Sequence, residues 1–505
     1  MPDASAPPFW ESWAGTAVMP AALMLGERAV DDMFGRTGSM FGLWIPGVGR
    51  SVMVRDPALI RQVLLASGDV VDDVEVNRVQ EPIIGRQGLA VLDPDGNRRL
   101  RQIMLPALRP QSLPRMREMT ESLARRVVDG CPAGEPFALG PRLRTAMMEA
   151  ILALTIGVDQ PRQFDEWMGA LWQVFRRAVS AEITVRYMLR HVGGIALWPS
   201  FHRRKSECDG LIYAEIERRR RRGEDRDDLL GVLMRARDER GARLTDQVLR
   251  DQVMSIIAGA RTTTATGLAW TFERLIRHPD ALRRLTAESD AAAWGDATLG
   301  PAASGAAASG AAALGAAPAR GGGAVQEGGA MPTSGAVPTS EAMTAIGSAA
   351  DAYASAVCYE ALRVRPPVAF FGRQVTQPFE LGGRVLRPGT AILVHIRALH
   401  HDPDLYPDPA AFRPERWLAR RPGGYGWMPF GGGRRTCIGD KLALMLMKTF
   451  LQVFTRAATL EPADQRDEQI RWRAVSNVPG DDCRIILRPR TPAEHFSTPS
   501  TLPIP

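Results

Sequence analysis

One cysteine closes a glycine-rich loop just ahead of an apolar run with helical spacing, and no arrangement in this chain is better placed for chemistry. In the segment Phe430-Gly431-Gly432-Gly433-Arg434-Arg435-Thr436-Cys437-Ile438-Gly439, the cysteine falls where a helix starting near Ile438 would present its first N–H groups. A thiolate there is stabilised by the positive end of the helix and by those donors. The glycines let the backbone approach a flat ligand closely. Arg435 can neutralise an anionic group on such a ligand. A cysteine before a helix is by itself most often a small buried residue, so the pattern around it must carry the argument.

Two other groups could take part. Glu360 and Arg363 lie three apart in one helical run, share a face and can pair. The run from Leu249 to Trp270 places Thr262, Thr263 and Thr264 beside Gly259, Ala260 and Arg261. Threonine hydroxyls can hold water and relay protons, or simply bond the helix's own carbonyls.

The cysteine loop, Phe430-x-x-Gly433-x-Arg435-x-Cys437-x-Gly439, resembles that of the cytochrome P450 family. Five fixed positions in ten make the pattern specific. Two further features follow the family's order along the chain. Glu360-x-x-Arg363 is followed by Phe412-Arg413-Pro414-Glu415-Arg416-Trp417, where Arg416 is the expected third member of a structural ion-pair group. Leu249–Trp270 resembles the helix that crosses the distal face of the haem.

The resemblance implies a set of roles. Cys437 would be the axial thiolate and the metal ligand, pushing electron density to the iron and favouring O–O cleavage. Thr263 takes the place of the oxygen-activating threonine, and Thr262 that of the carboxylate usual beside it. A one-residue shift would instead make Thr262 the key threonine and Arg261 the acid's replacement. Neither register supplies a carboxylate, so the usual proton relay is in doubt. The expected cofactor-binding set is Cys437, Arg435, Phe430, Gly431, Gly439, Ala260, Arg101, Asn97, Arg373 and His400. Arg101 matches an arginine that binds the haem propionates, and Asn97 stands where Trp or His is usual. Gly259, Val368, Ala369, Phe370, Asn477 and Val478 are placed as edges of the substrate pocket.

These residues need elements to position them. Residues 40–56 read as two short strands around a Pro-Gly turn, with a helix over 57–67. From about 93 to 290 the pattern is mostly helical. A helix is expected up to about Val364. Strand-like pieces follow from Val368 to Val394, then a proline-punctuated loop over 402–417. The fold class is α+β, predominantly α-helical: the cytochrome P450 fold with a small β region. The expected organisation is an N-terminal segment (1–39), one domain (40–490) and a C-terminal tail (491–505). The domain is interrupted at about 292–348 by Ala/Gly/Ser/Pro-rich sequence that cannot bury enough surface to order itself. The basic run Glu215 to Arg222 reads as a solvated helix end.

Composition narrows the class. The chain has 505 residues, 45% hydrophobic and 24% charged, enough for a large core. The net charge of +7 comes without zinc-finger spacing or aromatic-interleaved basic motifs, which argues against nucleic acid. Five scattered cysteines without C-x-x-C spacing fit a reducing compartment, so a cytoplasmic location is expected. The apolar run near Ala17–Leu25 contains Pro20 and is too short to span a bilayer, so no transmembrane anchor is expected.

The expected function is a haem-thiolate monooxygenase with haem b (iron protoporphyrin IX). It would insert one oxygen atom from O2 into a hydrophobic small molecule. No flavin or iron–sulfur motif is present in the sequence, so electrons would come from a separate ferredoxin or flavodoxin type donor. That donor would dock on Arg98, Arg99, Arg434, Lys441 and Lys448. The missing acid keeps an atypical reaction open, with peroxide use, oxidative coupling or a substrate-supplied acid. A non-catalytic haem-binding protein is a more distant reading.

Overall fold

The computed structural model describes residues 27–45, 48–72, 74–108, 114–178, 199–298, 351–419, 422–473 and 476–490. Most of the expected interruption and all of the C-terminal tail lie outside these residues.

Helix α1 (Glu27–Thr37) leads into strands β1 (Met40–Ile45) and β2 (Gly49–Val54), which pair antiparallel with Met40 opposite Val54 and Ile45 opposite Gly49. Phe34 of α1 is fully buried, its ring 4.8 Å from that of Phe41, and Asp31 pairs with Arg397 at 2.7 Å. Helix α2 (Pro57–Leu65) has Asp56 as its cap, accepting from the Ala58 and Leu59 N–H groups, and a proline in its first position. Strands β5 (Phe370–Val375) and β8 (Ala391–His395), with β3 (Val71–Asp72), complete a five-stranded sheet in the order β1-β2-β8-β5-β3. The remaining strands form three small sheets. One is the hairpin of β10 (Ile470–Arg473) and β11 (Ser476–Pro479), which matters for the site.

The helical layer holds the main core. Its axis is the 31-residue helix Asp246–Ile276, capped by the Thr245 hydroxyl and roughly 46 Å long at 1.5 Å per residue. It packs against the helices Gly140–Ile156, Ala352–Val364 and Asp440–Ala457. Most of its length is buried, including the ion-paired Arg250, Asp251, Glu273 and Arg274. Beyond its first turn, the longest accessible stretch is Ala258–Thr263, where every residue is partly or fully exposed.

Two sequence expectations need correction here. The helix Pro279–Thr298 runs past residue 292, because its Ala-rich end still favours helix. The basic run at the end of Pro199–Arg222 is not wholly solvated. Arg219 is buried, held by Asp228 through two bonds at 2.7 and 2.8 Å, by Glu215 at 2.7 Å and by the Ile156 carbonyl. Glu215 in the same run, Asp228 beyond the helix end and the distant Ile156 carbonyl together take that guanidinium out of water.

Candidate functional site: a cysteine loop beneath a long helix

The loop before Cys437 is built on backbone conformations that suit glycine. Gly431 and Gly433 have φ of 71° and 69°, a region unfavourable to other residues. At Gly432 a β-carbon would fall 2.0 Å from the Met428 methyl group, so close packing also demands glycine there. The loop closes when the Cys437 N–H donates to the Phe430 carbonyl at 2.9 Å. The helix Asp440–Ala457 then begins, with Gly439 as its cap residue. Solvent reaches Cys437 although protein surrounds it, the signature of a recess rather than an open surface. Burial pushes its thiol up to about 11; the Gly439 N–H and Arg101 oppose the shift, and Asp440 adds to it.

Three expected arginines converge on this loop. Arg101 donates to the Thr436 carbonyl at 2.7 Å. Arg373 donates to the Gly432 carbonyl at 3.0 Å and lies over the Phe371 ring. Arg435 donates to the Leu89 carbonyl at 3.0 Å and also to that of Leu92. Burial lowers the Arg101 pKa, and the field of Cys437 works against that shift.

Two expected members are placed differently. Asn97 is buried, its amide donating at 2.7 Å to the Leu89 carbonyl, the same carbonyl that accepts from Arg435. His400 is fully buried and accepts the Met428 N–H at Nε2, 2.8 Å away, while its carbonyl accepts from Arg363. It ties the ion-pair group to the segment leading into the cysteine loop. Burial and the Arg363 charge depress its pKa to about 3.

That ion-pair group is assembled as the resemblance implied, and extended. Arg363 makes two bonds to Glu360, at 2.8 and 2.9 Å, and both side chains are fully buried. Arg416 donates to Glu360 at 3.0 Å. Two further donors were not evident in the sequence: Trp417 Nε1 at 2.8 Å and the Arg413 N–H at 2.9 Å. Their reach to Glu360 depends on the fold of the 402–417 loop, which no local signal encodes.

On the long helix, the Thr263 hydroxyl donates to the Gly259 carbonyl at 2.8 Å, and the Thr262 hydroxyl lies 3.5 Å from that of Ser476. The β10–β11 hairpin is fixed here by Trp270 Nε1, which donates to the Asn477 carbonyl at 2.7 Å. The Asn477 N–H in turn donates to the Pro367 carbonyl at 2.8 Å. The structure thus joins the long helix to the segments of the expected pocket edges. Val368 and Phe370 are half-buried, whereas Ala369, Asn477 and Val478 are buried. The Phe370 ring stacks on that of Trp472, centroids 6.1 Å apart. Among the expected docking cations, Lys448 is withdrawn: it is buried and 3.4 Å from Asp351.

These residues fit a flat macrocycle carrying its own metal. A β-carbon at Gly259, Gly431 or Gly439 would meet nothing within 4 Å, so helix and loop both offer an open backbone face. No group of three or more His, Cys, Asp or Glu residues able to hold a bare metal ion occurs among the described residues. A lone thiol suits an iron whose other ligands come from a porphyrin. A cavity of about 370 Å³ beside the helix Pro94–Met104 has a charged lining that includes Arg99, Asp238, Glu239 and Arg243. It contains none of these site residues.

Comparison with known proteins agrees. The sequence model of the cytochrome P450 family matches residues 13–302 and 351–479. A putative cytochrome P450 137 of Mycobacterium tuberculosis is 31% identical over 491 residues, covering 97% of this chain and 91% of that protein. A putative cytochrome P450 135B1 of Mycobacterium bovis is 30% identical over 474 residues, covering 93% and 89%. The crystal structure of the cytochrome P450DA heme domain superposes with a TM-score of 0.71 at 22% identity, covering 94% of this chain and 96% of that one. The chain belongs to the cytochrome P450 family, whose members are haem-iron oxidoreductases of the monooxygenase class. The fold is that of P450 haem domains.

Proposed function

We propose that this protein is a haem-thiolate monooxygenase that inserts one oxygen atom from O2 into a hydrophobic small molecule. Its electrons would come from a separate ferredoxin or flavodoxin type donor. The observation that carries the reading is Cys437, exposed to solvent at the end of a glycine-built loop that accepts hydrogen bonds from Arg101 and Arg373 and carries Arg435. Haem b, when bound, supplies the iron that activates dioxygen.

The chain's own residues supply the rest. Cys437 Sγ would hold the haem iron as a thiolate. The three arginines offer positive charge where propionates would lie. Gly259, Gly431 and Gly439 admit the ring by presenting no side chain. Thr263 Oγ1, bonded to its own helix, can turn to hold a water and pass a proton at that oxygen. Val368, Ala369, Phe370 and Val478 give the substrate side an apolar wall, which favours a hydrophobic ligand. Arg98, Arg99, Arg434 and Lys441 remain candidates for the donor's docking face. No described helix is long and apolar enough to cross a membrane. The unpaired cysteines support a cytoplasmic location.

One observation favours a second reading. Arg261-Thr262-Thr263 carries no carboxylate at the distal threonine in either register. Peroxide use, oxidative coupling or an acid supplied by the substrate would each bypass the missing group. Turnover on peroxide alone, with no gain from NAD(P)H and a redox donor, would select this reading over the first.

The deciding experiment is the reduced, carbon monoxide-bound difference spectrum of the wild type and of Cys437→Ser. A far-red-shifted Soret band in the wild type, lost in the variant, is the expected result. A histidine-type band in the wild type, or no haem binding, overturns the assignment.

A further inference from the structure

The cavity of about 370 Å³ beside the helix Pro94–Met104 takes no part in the chemistry proposed for Cys437. Its volume lies at the small end of the range of about 300–1,000 Å³ typical of small-ligand sites. The helix Pro94–Met104 forms one wall. The others are the start of the long helix at Thr245 and the turn over residues 238–243 that leads into it.

That turn is well fixed. The Asp238 N–H donates to the Ala242 carbonyl at 2.9 Å, and Asp238 Oδ1 accepts from the Arg240 and Ala242 N–H groups at 2.9 and 2.8 Å. Gly241, with φ of 78°, completes the bend. Glu239 pairs with Arg99 at 3.1 Å and so ties the turn to the helix Pro94–Met104.

The charges around the cavity do not cancel. Arg99, Arg240 and Arg243 line it against two acids, Asp238 and Glu239. Glu239 is engaged by Arg99, and one Asp238 oxygen by the turn's own N–H groups. The Arg240 and Arg243 guanidiniums have no hydrogen bond or ion pair among the described residues. Apolar side chains share the lining: Leu92 and Leu100 are buried, Leu244 and Val248 half-buried.

We propose that this cavity binds a small organic phosphate of mononucleotide size, its phosphate held by Arg240 and Arg243 and its flat body set against the four apolar side chains. Planar guanidinium forks match phosphate oxygens through paired hydrogen bonds, and two of them balance a dianion. The second Asp238 oxygen and the Gln87 amide, both at the lining, can meet the hydroxyl and amino groups of a nucleoside. The site stands apart from the cysteine loop and does not depend on the haem-thiolate reading.

The test is calorimetric titration of the haem-loaded protein with adenosine monophosphate, adenosine and inorganic phosphate at neutral pH and low salt. Adenosine monophosphate is expected to bind with a Kd on the order of 100 µM or tighter. Adenosine and inorganic phosphate should each bind about tenfold or more weakly, since each lacks one half of the recognised group. Both arginines are exposed, so Arg240→Gln combined with Arg243→Gln should leave the fold and the carbon monoxide spectrum unchanged. The same pair of changes should weaken the nucleotide about tenfold or more, and Arg→Lys at both positions should keep part of the affinity. Absence of nucleotide binding at millimolar concentration overturns the proposal, as does adenosine binding equally well. Equal binding of inorganic phosphate would show an adventitious ion only, and nucleotide affinity unchanged by the two Gln substitutions would place the ligand elsewhere; either result also overturns it. The wild-type series decides even where a variant fails to fold.

Discussion

Thr263 shows how little a single residue's type settles. Its hydroxyl satisfies the Gly259 carbonyl, a bond that any mid-helix threonine can make. What sets it apart is its position in the accessible stretch Ala258–Thr263 at the middle of the long helix. Thr263→Ala should leave the fold and ligand affinity nearly intact, because that carbonyl still accepts its helical N–H bond. Product formed per electron pair consumed should fall on the order of tenfold, with peroxide released instead, as expected from losing a positioned proton donor. Unchanged coupling would place the proton route elsewhere. The Thr262–Ser476 pair would then be the next hydroxyls to examine. Asn97 and His400 carry the opposite lesson. Asn97 bonds the Leu89 carbonyl and His400 the Met428 N–H, and only tertiary packing shows which way a polar side chain points.

The element scale is governed by Glu360. Its carboxylate accepts from Arg363, Arg416, Trp417 and the Arg413 N–H, which joins the helix Ala352–Val364 to the loop that precedes the cysteine segment. His400 continues the connection to Met428, two residues before Phe430. Glu360→Gln would leave the buried Arg363 without its counter-charge and set an amide donor against donors. Breaking a buried pair in this way costs about 3–5 kcal/mol. Urea unfolding should show a loss of that size, and the variant should retain haem poorly although it touches no ligand. A loss below about 1 kcal/mol would mean that the network is no more than a surface-type pair. The helix, its paired acid and base and the later Pro-Glu-Arg loop were all readable in sequence. Trp417 as a fourth donor was not, since its approach depends on the course of the intervening loop.

Across the molecule, buried neutral histidines couple stability to pH. His395 and His400 both sit in the interior, and burial with a neighbouring arginine lowers each from 6.5 to about 3. In the unfolded chain they take up protons below about pH 6.5, whereas in the folded chain they do not until far lower. The unfolded state therefore binds more protons over that interval, so stability is full above it and falls as pH drops. Two such groups give a slope of about 2.7 kcal/mol per pH unit at most. Urea unfolding between pH 7.5 and 5.5 should show a clear decline, and His400→Gln should flatten it. Equal stability at both values would show that these imidazoles are hydrated or protonated in the native protein.

The sequence by itself pointed to Cys437 and its glycine loop, the ion-paired helix and a predominantly helical fold with a small β region. Those features are local: turn glycines, helical spacing and residues three or four apart write themselves into short stretches of chain. The tertiary structure alone decided that Asn97 and His400 bond backbone groups and that Arg219 and Lys448 leave the solvent. Each depends on groups brought together from distant segments. Whether a charge or an amide is paired, buried or available is a property of its neighbours in space.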